Sequence, residues 1–128
     1  MQTSTEHPNA TLVRRALDGF NRGEIQTFAD AIADDVVWHQ IGAETINGKQ
    51  AMAESLPGGE VDWEITADVD DVVANDEHAI ALVDATASRG DGRTLKYRTA
   101  EIMHIRDGKV TERWAFSDDT QRITDFFA

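Results

Sequence analysis

The residues best suited to chemistry gather at two places in this chain. One is the stretch ERWAFSDD, residues 112–119, where two aromatic residues run into paired carboxylates. Strand side chains alternate between faces, so Glu112, Trp114 and Phe116 share one face while Arg113, Ala115 and Ser117 share the other. A plain core has no use for Asp118 and Asp119 directly afterwards. The other place is His39, in VWHQIG. A general base needs a proton acceptor with a pKa near working pH, which imidazole supplies unaided and a carboxylate supplies only when burial raises its pKa. His39 therefore suits proton abstraction or water activation, and Asp119 suits either orienting that imidazole or acting itself in a dry site. Each has a structural alternative: a strand histidine hydrogen-bonded for its own sake, and a carboxylate capping the amides of a last helical turn that starts at Thr120.

Other chemistries fall away on residue type and spacing. Glu101 and His104 lie three apart in strand-like sequence, point to opposite faces and cannot share an ion, and Asp68, Asp70 and Asp71 lack the glycine and terminal glutamate of a calcium loop. No metal site is expected. Neither a serine nucleophile elbow nor a glycine-rich phosphate loop is present. With no cysteine there is no thiolate or disulfide. Twenty-four acidic against twelve basic residues give a net charge of −12, which repels phosphate backbones and anionic lipid. Nucleic acid and membranes are thus not expected partners. No apolar run is long enough for a bilayer, and MQTSTEHPNA has neither the basic start nor the apolar stretch of a secretory signal, so a cytoplasmic location is expected.

The elements that must position these groups follow from periodicity. At 128 residues one domain is expected, with residues 1–9 a flexible tail. Leu12, Val13, Ala16, Leu17 and Phe20 recur at helical spacing up to Asn21-Arg22-Gly23, and Ile25, Phe28, Ala29, Ile32 and Ala33 repeat the pattern, predicting a helical hairpin. A short strand is predicted over 36–41, then a capped helix from Asn47-Gly48 to about residue 56, stopped by Pro57-Gly58-Gly59. From Val61 onward apolar and polar residues alternate until the phase slips at Asp70-Asp71, which predicts a bulge. Turn signals at Asn75-Asp76, Gly90-Asp91-Gly92 and Asp107-Gly108 divide three further strands, over 79–88, 95–106 and 109–116. Residues 120–127 form a closing helical turn. The sum is an α+β fold: a cone of three N-terminal helices packed on a curved, mostly antiparallel sheet, with a small-molecule cavity at its open end.

Several stretches resemble the SnoaL-like branch of the nuclear-transport-factor-two-like superfamily: ALDGFNRGE in the first helix, ADDVVWHQIG, NGKQAM, the hairpin HIRDGKVTERW and the ending SDDTQRITDFF. They cover nearly the whole chain in order. The resemblance implies a cystatin-like roll, a homodimer formed through the outer sheet face, and a cavity for a small hydrophobic ligand or substrate. By that resemblance His39 takes the first-strand position where ketosteroid isomerases carry a carboxylate base, and Asp119 takes the place of the acid/base residue that ends the last strand in SnoaL-like polyketide cyclases, so the two converge on one cavity. The departures are equally specific. Limonene-epoxide-hydrolase relatives need an arginine and an aspartate two apart, whereas Arg98 is followed by Ala100; Phe20 lacks the hydroxyl that ketosteroid isomerases present from the first helix; and Glu101 stands where close relatives often carry histidine.

The resulting expectation is an enzyme needing no cofactor that acts by acid/base chemistry on a small apolar carbonyl compound. His39 and Asp119 are its catalytic residues, and Phe20, Trp63, Tyr97, Glu101, Met103 and Trp114 its ligand contacts. Phe116 is expected in the core. Glu101, if buried, needs a partner, for which Arg113 and Tyr97 are the candidates. The alternatives are a binding protein that sequesters a hydrophobic metabolite without turnover, and a dimer module with a collapsed cavity.

Overall fold

A computed structural model describes residues 6–54 and 62–128. The first helix, α1 (Pro8–Asn21), starts where Pro8 fits the first turn and the His7 ring accepts a hydrogen bond from the Asn9 amide. Ala10, Val13, Ala16 and Leu17 form its buried stripe. Gly23, at φ 74°, makes the turn into the short α2 (Ile25–Asp30), which buries Phe28.

The expected continuation of that second helix to Ala33 is corrected here. Ile32 already belongs to β1 (Ile32–Trp38). Ile32 and Val36, both fully buried, are four apart, a spacing that places two residues on one face of a helix and of a strand alike, so periodicity alone could not separate the two. Pairing decides it, because β1 lies parallel to β6 (Lys109–Ser117), with Ile32 opposite Val110. A two-residue strand, β2 (Ile46–Asn47), then pairs antiparallel with β1, and α3 (Lys49–Glu54) follows. The chain has a helical pair, two strands, a third helix and only then the long strands, not three helices before the sheet. The predicted stop at Pro57-Gly58-Gly59 and the strand start at Val61 lie outside the described residues, as does most of the expected N-terminal tail.

The remaining strands, β3 (Trp63–Ala74), β4 (His78–Arg89) and β5 (Thr94–Arg106), join β6 in an antiparallel meander, giving the sheet order β2-β1-β6-β5-β4-β3. The predicted bulge is present, as a register shift between Val69 and Asp71. The β5–β6 hairpin turns through Asp107 and Gly108, both at positive φ, the conformation a two-residue turn needs to match strand twist. The fourth helix, α4 (Thr120–Phe127), closes the chain.

One face of the sheet is concave and carries the core. Ala79, Ala81, Val83, Ala85 and Ala87 of β4 are buried there, and their small size lets α1 approach closely. At the end of α1 the Asn21 side-chain amide exchanges two hydrogen bonds with the Ala67 backbone, at 2.6 and 2.8 Å, pinning the helix to β3 as a neighbouring strand would. Among the described residues, no helix is long and apolar enough to cross a membrane.

Candidate functional site

Where the helices do not fill the concave face, a cavity of about 400 Å³ remains. Leu17 and Phe20 of α1, Phe28 of α2, Met52 of α3 and Phe127 of α4 line it together with Trp63, Val83 and Ala85 of the sheet, the Phe127 ring meeting Trp63 edge-on at 5.4 Å. Its polar end is built by strand alternation. Tyr97, Thr99 and Glu101 are successive inward positions of β5, Arg113 points inward from β6, and Trp38 and Gln40 point inward from the end of β1.

Two charges sit in this apolar surround, and both are paired. The side chains of Glu101 and Arg113 are 10% and 12% exposed. Arg113 donates to Glu101 Oε1 from Nη2 at 3.1 Å and from Nε at 3.3 Å, and from Nη1 to the His39 carbonyl at 3.0 Å. Its guanidinium lies 4.5 Å from the centre of the Trp38 ring. Each guanidinium nitrogen thus has an acceptor, which is what burying the charge requires. Glu101 is less completely held. Its second oxygen, Oε2, receives only a long contact of 3.4 Å from the Thr99 hydroxyl. Beside it, burial and the Glu101 carboxylate push the Tyr97 phenol up to about 12, against a smaller opposing pull from Arg113. Tyr97 is therefore a neutral donor at ordinary pH, and its hydroxyl makes no hydrogen bond among the described residues. Among these residues there is also no cluster of three or more side chains able to hold a metal ion.

Four of the residues expected to contact ligand, Phe20, Trp63, Tyr97 and Glu101, line this cavity. The other expectations are corrected. Met103, one inward step past Glu101, is core and does not line the cavity. His39 follows the inward-facing Trp38, so alternation sends it to the outer face of the sheet. There its ring bonds Glu112 Oε2 at 2.7 Å and the Thr45 hydroxyl at 3.0 Å and stacks on Trp114 at 5.3 Å. Asp119 is the N-cap of α4, accepting a hydrogen bond from the Arg122 amide at 3.1 Å. The imidazole and the carboxylate do not meet in one hollow. Phe116, expected in the core, is on the outer face and 59% exposed.

A bulge explains the inversion of β6. Without one, the Asp107-Gly108 turn sets Trp114 opposite Glu101 and aims it inward. The ladder instead shifts by one residue, pairing Ile105 with Val110 but His104 with Glu112. One extra residue in a strand exchanges its two faces, so Trp114 turns outward and Arg113 takes the inward place. Arg113 entered the sequence reading only as a possible partner for Glu101, and Trp38 and Gln40 did not enter it as site residues. Setting β1 alternation from an inward Trp38 is the signal that finds both of the latter.

The SnoaL-like domain profile matches residues 13–113. The uncharacterized protein Rv0034 of Mycobacterium tuberculosis is 27% identical in an alignment of 137 positions covering 97% of this chain and 99% of that protein. Among solved structures, Bal32a, from a soil-derived mobile gene cassette, has a TM-score of 0.83 at 25% identity, covering 94% of this chain and 97% of its own. An LEH-like epoxide hydrolase from Mycobacterium tuberculosis reaches a TM-score of 0.79 at 16% identity, with 94% and 91% covered, a likeness of fold alone.

Proposed function

The chain belongs to the SnoaL-like domain family, and from that premise we propose that its cavity binds a small, largely apolar molecule carrying a carbonyl or other polarised oxygen and acts on it by acid/base chemistry. One observation carries the reading: a carboxylate held through one oxygen, with the other nearly free, faces an apolar hollow beside an unpartnered phenol. In this arrangement the Tyr97 hydroxyl donates to the ligand oxygen and draws electron density towards it. Glu101 Oε2 then accepts a proton from an adjacent carbon or from a water molecule. Arg113 fixes the carboxylate in place and, with the Trp38 ring behind it, keeps that position rigid. The base proposed here is Glu101, in place of His39 and Asp119, which lack access to the hollow.

The test starts from whatever ligand co-purifies with the protein, identified by native mass spectrometry. Ala43 lines the hollow and is exposed, so Ala43→Trp narrows the mouth without disturbing the core. Retention of the ligand by that variant refutes binding in the cavity. Glu101→Gln is expected to abolish turnover while changing affinity little; unchanged turnover refutes the assignment of the base. A second reading, binding without turnover, is favoured by the engagement of every guanidinium nitrogen, as expected of a purely structural pair. A ligand returned unaltered by the wild-type protein supports that reading.

The proposed biological unit is a homodimer through the outer sheet face. Leu82 and Phe116 stand in register across β4, β5 and β6 with Ala100 between them, both more than two-fifths exposed, and form an apolar row whose burial a second copy would favour.

A further inference from the structure

Among the described residues that line the cavity, Glu101 and Arg113 are the only charged ones, and they are opposite in sign and in contact. The other described lining residues are apolar or carry neutral dipoles. We infer that the cavity takes uncharged ligands and turns away both anions and cations, with the Glu101–Arg113 pair setting this choice and the Tyr97 hydroxyl selecting, among neutral molecules, those that offer a hydrogen-bond acceptor. The inference rests on the reading of the hollow as a binding site and adds to it the class of molecule accepted.

The argument is electrostatic. An entering carboxylate is stripped of water in an apolar enclosure and needs a cation in return. Arg113, the one cation among the described lining residues, already donates from Nε and Nη2 to Glu101 and from Nη1 to the His39 carbonyl. A second negative charge therefore competes with Glu101 for Arg113 while repelling the Glu101 carboxylate. An ammonium meets the mirror image: Glu101 is committed to Arg113, and the guanidinium repels it. Neither ion recovers the cost of leaving water. A neutral ketone or ester pays no such desolvation cost, and its oxygen can accept from the Tyr97 hydroxyl, which faces the cavity without an acceptor among the described residues. A neutral hydrocarbon fills the same space and leaves that donor unpaired.

Calorimetric titration at neutral pH with three probes of one skeleton tests this: acetonaphthone, naphthoate and naphthylmethylammonium, all small enough for a hollow of about 400 Å³. Acetonaphthone is expected to bind at least about tenfold more tightly than either ion, and Tyr97→Phe to weaken acetonaphthone by about fivefold. Glu101→Gln leaves the guanidinium charge unmatched, so naphthoate is expected to gain about tenfold or more in that variant while naphthylmethylammonium gains nothing. If the wild-type protein binds naphthoate within about threefold of acetonaphthone, charge selection is overturned and the binding site stands. If it binds none of the three, the hollow is not a binding site and both readings fall. The wild-type panel decides by itself should Glu101→Gln fail to fold.

Discussion

Removing one member of the Glu101–Arg113 pair should cost more stability than removing both. At 3.1 Å, two unit charges in surroundings of effective dielectric constant near 20 attract by about 5 kcal/mol before desolvation is counted. Deleting one partner of such a buried pair costs about 3–5 kcal/mol, because the other charge stays buried without compensation. Glu101→Gln belongs at the lower end, about 3 kcal/mol, since the amide oxygen still accepts from the guanidinium, which keeps the His39 carbonyl and the Trp38 ring. Arg113→Met belongs at the upper end, about 4–5 kcal/mol, since the carboxylate is left with the long Thr99 contact alone. The double variant buries no charge and loses the bond to the His39 carbonyl and the ring contact, so its expected cost is about 2 kcal/mol. Urea unfolding of the four proteins, with linear extrapolation to water, measures each value. Two single variants whose costs add up to that of the double would refute the reasoning: the pair would then be screened by solvent, the hollow would not be a low-dielectric site, and the charge selection inferred above would lose its basis.

Tyr97 is the chain's single tyrosine, so tyrosinate absorbance reports it alone, and its midpoint in the folded protein is expected at about 12 rather than 10.0. Because the folded protein holds this proton more tightly than the unfolded chain does, stability is unaffected below pH 10 and falls between pH 10 and 12, by about 3 kcal/mol at 1.36 kcal/mol per unit. Tyr97→Phe, subjected to the same pH series, should lack that loss; an identical slope in the variant contradicts the assignment. Asp119→Ala removes a helix cap and should cost about 1 kcal/mol in chemical denaturation, while both it and His39→Ala leave ligand affinity within about twofold of wild type. A large loss of affinity in either would put these side chains back at the cavity. Phe116→Asp with Leu82→Asp should convert a dimer to a monomer in sedimentation equilibrium without unfolding it, since both positions are exposed in the single chain; a dimer that survives the change rules out this face.

Much of the architecture could be read from local pattern. The strict alternation from Trp63 onward, the phase slip at Asp70-Asp71 and the Asp107-Gly108 turn each act over a few residues, so the meander, its bulge in β3 and its last hairpin were legible. Ile32 was not, because its spacing from Val36 suits a helix and a strand equally and only the long-range partner Val110 removes the ambiguity. At the site, the inward positions of Tyr97 and Glu101 follow from the unbroken alternation of β5. Composition already excluded thiol chemistry and disfavoured nucleic acid, since those conclusions need no geometry.

What the tertiary structure alone decided was which face each group of the last strand presents. A single inserted residue in β6 reverses every side chain beyond it, moving Trp114 out and Arg113 in, and nothing in the types of Val110, Thr111 and Glu112 announces that insertion. The same holds for β1, where an inward Trp38 forces His39 outward once the parallel pairing with β6 fixes the strand. Residue types and local periods are set within the chain's own neighbourhood and can be read there. Register and facing are set by strand pairing, within the β5–β6 hairpin and between β1 and the distant β6, so the chemistry of this cavity depends on pairings that the sequence leaves unstated.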